Sequence, residues 1–373
     1  MSGIYIHIPF CRQKCRYCDF YSVVPEAQRG PVLDVLHREL ELRRPEFADP
    51  VRTLYFGGGT PTVYSPEELQ GVIDRVRLLY DAALDEVTVE ANPDDLTGNY
   101  LARLKNTDVN RLSIGIQSFD DAHLQLFNRR HTGQQAFDAV RRAKRGGFEN
   151  ITVDLIYGIP GMTGAEWETN LLKFMDLDVP HLSAYHLTIE PRTVFGKWSE
   201  QGKIAAVPDE TSRRHYELLE RLTAEAGYVH YEVSNFARPG WESRHNSSYW
   251  NGTPYLGIGP AAHSFDGNSR RWNTANVKQY LERFDAGGYY ETECLSETDR
   301  FNETLMTGLR TAAGVSWEFV RGQFGEERTD TLRRAARKFL DSGLLVDDGT
   351  ALRIPSARFL LSDSIIADLF LLG

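Results

Sequence analysis

Short apolar segments alternate with longer amphipathic stretches through the first half of the chain. Gly3–Ile8, Thr53–Phe56, Glu86–Glu90, Arg111–Gly115, Ile151–Ile156 and Leu182–Leu187 each predict a β-strand. Between them, Ser65-Pro66-Glu67-Glu68, Thr132-Gly133-Gln134-Gln135 and Thr163-Gly164-Ala165-Glu166 carry the spacing of helix capping boxes, and Pro66 takes the favoured first helical position. Strand–helix alternation repeated in this way implies parallel strands joined by right-handed crossovers, either curling into a partial barrel or opening as a doubly wound sheet. Both architectures gather ligands at the carboxyl ends of the strands. The unusual sequences Pro9–Cys18, Gly57–Pro61, Asn92–Pro93 and Gly158–Pro160 all follow strands, so they are expected on one face.

After about residue 190 the alternation becomes irregular. A helical run over Glu210–Ala224 precedes a Gly-, Asn- and aromatic-rich stretch from Asn235 to Ser264. Beyond it, Arg300–Leu309, Trp317–Phe324, Asp330–Leu340 and Ser362–Leu371 read as helical. Leu344–Val346 and Ala351–Ile354 flank an Asp348-Gly349 turn, the pattern of a small winged-helix-like domain. The expected organisation is a core over 1–190, an extension over 191–295 and a C-terminal domain over 296–373.

The 373 residues, 41% hydrophobic and 25% charged, fit a folded globular protein with a large core. A formal net charge of −10 argues against nucleic acid as a main partner, because its recognition needs excess Lys and Arg. The basic helical positions Arg333, Arg334, Arg337 and Lys338 read as a solvated face. No run of apolar residues matches a leader or a membrane span, so a cytoplasmic location is expected.

Three of the four cysteines fall within eight residues, as Cys11-x-x-x-Cys15-x-x-Cys18, while Cys294 stands alone and reads as structural. This is a metal-binding pattern in a reducing compartment rather than a disulfide framework. Its spacing allows a zinc site with His7 or another residue as fourth ligand. It fits better a 4Fe–4S cluster in which three thiolates leave one iron open.

The stretch Tyr5–Phe20, YIHIPFCRQKCRYCDF, resembles the radical S-adenosylmethionine superfamily, specifically its HemN-like branch of coproporphyrinogen dehydrogenases and heme chaperones. The resemblance implies a partial (β/α)6 barrel in which Cys11, Cys15 and Cys18 hold the cluster. Its open iron chelates adenosylmethionine, and one electron from the cluster cleaves it to a 5′-deoxyadenosyl radical. Around the adenosylmethionine it implies Tyr5, Tyr17, Gly58, Gly59 and Thr60 of the glycine motif, Glu90 toward the ribose, and Gln117, Arg129 and Asp154.

Two features bear on activity within the branch. Coproporphyrinogen dehydrogenases carry a further cysteine two positions after the third, where this chain has Phe20, and a longer arm before the first strand, whereas Gly3 here follows only two residues. The run Arg244–Trp250, RHNSSYW, resembles the HNxxYW motif that heme chaperones use, which implies heme contacts from His245, Asn246, Tyr249 and Trp250, with imidazole as axial ligand. His263 is a candidate second polar contact. The resemblance therefore implies a heme chaperone of HemW type, as monomer or homodimer, delivering heme to acceptor hemoproteins such as respiratory enzymes at the inner face of the membrane. The alternative is an oxygen-independent coproporphyrinogen III dehydrogenase, or a methyltransferase or heme-degrading enzyme of the same branch.

Overall fold

The computed structural model describes residues 2–24, 27–47 and 49–371. Strands β1 (Ser2–Ile8), β2 (Val51–Gly58), β3 (Glu86–Ala91), β4 (Arg111–Gln117), β5 (Asn150–Tyr157) and β6 (His181–His186) pair in chain order, all parallel. Helices α1 (Arg29–Leu42), α2 (Pro66–Tyr80), α3 (Gly98–Leu104), α4 (Asp121–Phe127), α5 (Gly133–Arg145) and α6 (Gly164–Leu177) form the crossovers. The three expected capping boxes are present at Ser65/Glu68, Thr132/Gln135 and Thr163/Glu166.

The strands are two-faced. Ile4, Ile6, Ile8, Leu54, Phe56, Val87, Val89, Leu112, Ile114, Val153 and Leu182 belong to one hydrophobic cluster shared with the helices. The intervening positions, among them Tyr5, His7, Tyr55, Glu90, Ser113, Asp154 and Tyr185, are polar or phenolic. Parallel strands with both faces packed read as continuous apolar runs. Alternation here reflects a sheet that curls, so that one face encloses a polar lumen.

The stretch after β6 completes this sheet rather than forming a layer of its own. Helices α7 (Val194–Glu200) and α8 (Asp209–Glu225) lead to β7 (Val229–Glu232) and β8 (Asn235–Ala237), which add antiparallel to β6. Helix α9 (Arg244–Trp250) then crosses to the opposite edge, where β9 (Tyr255–Ile258) pairs parallel with β1. Strands β10 (His263–Phe265), β11 (Ser269–Asn273) and β12 (Tyr290–Cys294) continue outward antiparallel, with α10 (Val277–Arg283) before β12. Cys294, read as structural from the sequence, is instead exposed on the edge strand, where it has no core to pack in.

The remaining elements are α11 (Glu297–Gly308), β13 (Val315–Ser316), α12 (Trp317–Asp341), β14 (Val346–Asp347), β15 (Ala351–Arg353) and α13 (Ser362–Ala367). The three strands form a separate sheet in the order β13-β15-β14. Gly325, with φ 83° and ψ 174°, divides α12 into the two helical runs expected. Such a backbone conformation favours glycine. Among the described residues, no helix is long and apolar enough to cross a membrane.

Candidate functional site

The carboxyl ends of β1–β6 surround a cavity of about 410 Å³ lined by Cys11, Cys15 and Cys18 together with Tyr5, Tyr17, Gly58, Gly59, Thr60, Glu90, Gln117, Arg129 and Asp154. Every residue expected around the cluster and adenosylmethionine therefore faces one space. The cysteine loop follows β1, and its backbone is fixed where Cys11 N–H donates to Val23 O at 3.0 Å. Arg129 Nη1 donates toward Cys15 Sγ at 3.5 Å and Thr60 Oγ1 toward Cys11 Sγ at 3.6 Å, donors that favour thiolate. Burial pushes the Cys18 thiol up to about 11, so an electropositive partner is needed to hold it as a ligand. Tyr17 packs edge-on against Phe127, with ring centroids 4.8 Å apart.

Two glycines show why the motif tolerates no side chain. A Cβ on Gly59 would stand 2.6 Å from Phe10 O and 2.8 Å from Ile8 O, and one on Gly58, at φ 103°, would run into the His7 ring. The glycine run thus lets β2 pass against the start of the cysteine loop. Glu90 Oε1 accepts from Tyr55 OH at 2.8 Å and Oε2 from Gly58 N–H at 3.1 Å, while burial, with Asp154 nearby, raises the carboxyl to about 7. Asp154 accepts from Ser113 Oγ at 3.2 Å, and burial raises its pKa too. Gln117 sits at φ 71° where the β4–β5 register shifts, the kind of strained position that collects at ligand sites.

The sequence reading did not include Asn92 and Tyr55 in the site. Asn92 joins two halves of it, accepting from Arg129 Nη2 at 2.6 Å and donating to Thr60 Oγ1 at 3.1 Å. Its place just after a strand, in the flagged Asn92-Pro93, was the available signal. Tyr55 was identifiable only from inward-facing register between Leu54 and Phe56.

The three thiols line one cavity, with Thr60 and Arg129 as donors beside Cys11 and Cys15. Among the described residues, no three His, Cys, Asp or Glu side chains gather as a single ion would require. His7, the fourth ligand of the zinc alternative, instead has Nδ1 3.1 Å from Tyr5 OH and Nε2 3.0 Å from Tyr21 O.

Deeper in the lumen, a second cavity of about 970 Å³ shares Tyr5, Cys18, Phe20, Glu90 and Tyr185 with the first and reaches His245, Asn246, Tyr249 and His263. Its floor is α9. Glu86, at the start of β3, accepts from the backbone N–H of Arg244 at 3.0 Å and of His245 at 2.9 Å, seating the helix N-terminus on a carboxylate. Fully buried His245 has Nδ1 2.8 Å from Thr53 Oγ1 and Nε2 2.9 Å from Tyr249 OH, and it stacks on Tyr55 at 5.0 Å. Burial and then Arg111 lower its pKa to about 3, so the imidazole is neutral. Trp250 faces away from this cavity, and His263 is exposed beside Trp272.

The family model of the radical SAM superfamily matches residues 5–173, and that of the HemN C-terminal domain matches residues 295–360. A heme chaperone HemW from Bacillus subtilis (strain 168) is 35% identical, over 98% of this chain and 98% of its own. This chain belongs to the HemW family. A HemW relative from Lactococcus lactis is also 35% identical over 98% of this chain and 96% of its own, and the mouse mitochondrial radical S-adenosyl methionine domain-containing protein 1 is 33% identical over 99% and 87%. The fold is also that of coproporphyrinogen III oxidase (HemN) from Escherichia coli, with a TM-score of 0.83 at 23% identity over 99% of this chain and 90% of that one. In this HemW-family chain, Phe20 is 70% exposed and lines both cavities.

Proposed function

We propose that the protein is a heme chaperone of HemW type, which binds heme at the motif His245, Asn246, Tyr249 and Trp250 and passes it to acceptor hemoproteins. Its core over 1–190 carries the 4Fe–4S cluster on Cys11, Cys15 and Cys18 and adenosylmethionine in the adjoining cavity. The extension over 191–295 supplies the heme motif, and the C-terminal domain spans 296–373. When bound, the cluster and adenosylmethionine supply one-electron chemistry. The chain's own residues bind and orient: Glu90 toward the ribose hydroxyls, Arg129 and Thr60 as donors beside the sulfurs, and Tyr17 with Phe127 as a wall against solvent.

The observation that carries this reading is α9, whose His245, Asn246 and Tyr249 line the lumen that opens on the cysteines and whose Tyr249 and Trp250 line the adjoining cleft. Phe20 weighs against the coproporphyrinogen dehydrogenase alternative, since a phenyl ring cannot replace a thiol there. The protein is proposed to act in the cytoplasm as monomer or homodimer, with transient contact at the inner face of the membrane where acceptor respiratory enzymes reside.

The test is anaerobic. Protein with a reconstituted cluster is offered heme and, in parallel, coproporphyrinogen III. Stoichiometric heme binding without protoporphyrinogen formation is expected, and protoporphyrinogen formation would overturn the chaperone reading. His245→Ala is expected to change the heme spectrum; an unchanged spectrum removes His245 as axial ligand.

A further inference from the structure

Of the four residues assigned to heme, His245, Asn246 and Tyr249 line the lumen, whereas Trp250 lines a separate cleft of about 620 Å³ between α9, β9–β11 and the elements α11, β13 and α12. Tyr249 lines both. The cleft is aromatic, walled by Trp250, Tyr255, Phe265, Phe319 and Phe324, and Phe319 is 48% exposed. Its volume lies in the roughly 300–1,000 Å³ range of small-molecule sites.

Two arginines enter it with different commitments. Arg270 is neutralised by Glu303 through contacts of 2.8 and 2.9 Å. Arg300 has no carboxylate partner among the described residues: Nη1 donates to Asn268 Oδ1 at 3.0 Å, and its buried Nε has no acceptor. A planar aromatic ligand bearing a carboxylate would cover the rings and neutralise that charge.

The walls of the lumen mix phenols, imidazoles and Glu90 with Arg192, which is paired with Asp19 at 2.9 Å, and Lys14, which donates to Phe20 O and Ser22 Oγ, and it shares Tyr5 and Glu90 with the cavity assigned to adenosylmethionine. An occupant of the lumen would contend with that cofactor.

We propose that heme binds in this cleft, with its porphyrin plane among the aromatic rings and a propionate at Arg300, leaving the lumen to adenosylmethionine. The assignment rests on the heme-chaperone reading and places its ligand. Tyr249 stands between the cleft and His245, so heme meets the tyrosine before the imidazole. Axial ligation by His245 then requires the Tyr249 hydroxyl to leave Nε2.

Heme is titrated by absorbance into the full-length, cluster-loaded protein with and without saturating adenosylmethionine, and into Thr307→Trp, which fills the cleft, and Arg300→Glu. The Kd is expected to stay within about twofold on adding adenosylmethionine and to weaken by about tenfold or more in each variant, the loss of one good contact. Weakening of about tenfold by adenosylmethionine, or indifference to both variants, overturns the cleft while leaving the chaperone reading intact. A wild-type protein that binds no heme overturns both. The adenosylmethionine arm needs no substitution, so it decides even if Thr307→Trp fails to fold.

Discussion

At the carboxyl ends of the strands the polar side chains point into open space, whereas at the amino ends they point at one another. Around the cysteines, Glu90, Asp154, Gln117 and Arg129 are held by Tyr55, Ser113, a strained backbone and Asn92, and all of them still line the cavity. On the floor, Thr53, His245, Tyr249, Glu86, Arg111, Thr152 and His181 form a nearly closed network. Arg111 Nη2 donates to Thr152 Oγ1 at 2.6 Å, and Thr152 Oγ1 lies 3.1 Å from His181 Nδ1. The upper site holds its polar side chains in place and leaves them open to the cavity. The lower one has its ligating atoms satisfied by protein, and must break a hydrogen bond before His245 can hold a metal.

The largest effect is expected at the upper end. Cys15→Ala should reduce iron from about four per chain to near none and remove the cluster absorbance, because two thiolates do not retain a cubane. Iron content unchanged by this substitution would remove the cluster assignment. The same small change made at each end then separates the two. Gly59→Ala drives a Cβ into two backbone carbonyls, and is expected to cost about 2–4 kcal/mol in denaturant unfolding. Gly3→Ala meets the side chains of Thr53 at 2.3 Å and His245 at 2.8 Å. Side chains can turn aside, so about 1–2 kcal/mol is expected, with altered heme binding. Equal costs would erase the distinction between a rigid upper wall and an adjustable floor.

The upper end was largely legible in the sequence because its residues follow strands that local pattern defines, and each strand carries its motif to the same face. The strand positions of β1 to β6 were found within two residues at every end, β2 being the longest extension. The floor was not legible. Its partners come from β2–β6 and α9, and the parallel pairing of β9 with β1 joins residues about 250 positions apart. Nothing in the loop-rich Asn235–Ser264 stretch announces that pairing. A motif read as one patch is divided by a helix of seven residues, with Trp250 turned from the lumen that His245 lines. His123, His131 and His215 are all buried.

A smaller effect tests how finished the upper wall is without its ligand. The Glu90 carboxyl is raised to about 7 in the folded protein against an ordinary 4.5, so the folded state holds a proton that the unfolded state has lost between those values. Stability attributable to this group therefore falls as pH rises from about 4.5 through 7. Because the carboxylate borders a cavity open to water, the full linkage value is discounted, and Glu90→Gln should stabilise by about 1–2 kcal/mol above pH 7 and by little near pH 5. A pH-independent difference in unfolding free energy would show that Glu90 is ionised throughout.

The smallest effect is expected at the floor, from Tyr249→Phe. The phenol ring stays against Tyr255, 4.6 Å between centroids, while the hydroxyl that engages His245 Nε2 at 2.9 Å is lost. Leaving the buried nitrogen without a partner should lower unfolding free energy by about 1 kcal/mol. The same nitrogen is then free for iron, and the cost of releasing it no longer opposes heme binding. A net hydrogen-bond contribution of about 0.5–1.5 kcal/mol corresponds to a Kd tighter by roughly two- to tenfold. Stability and heme affinity should therefore move in opposite directions in this variant. If both fall together, the hydroxyl is part of the heme contact itself, and the floor is as open to its ligand as the cysteine wall above it.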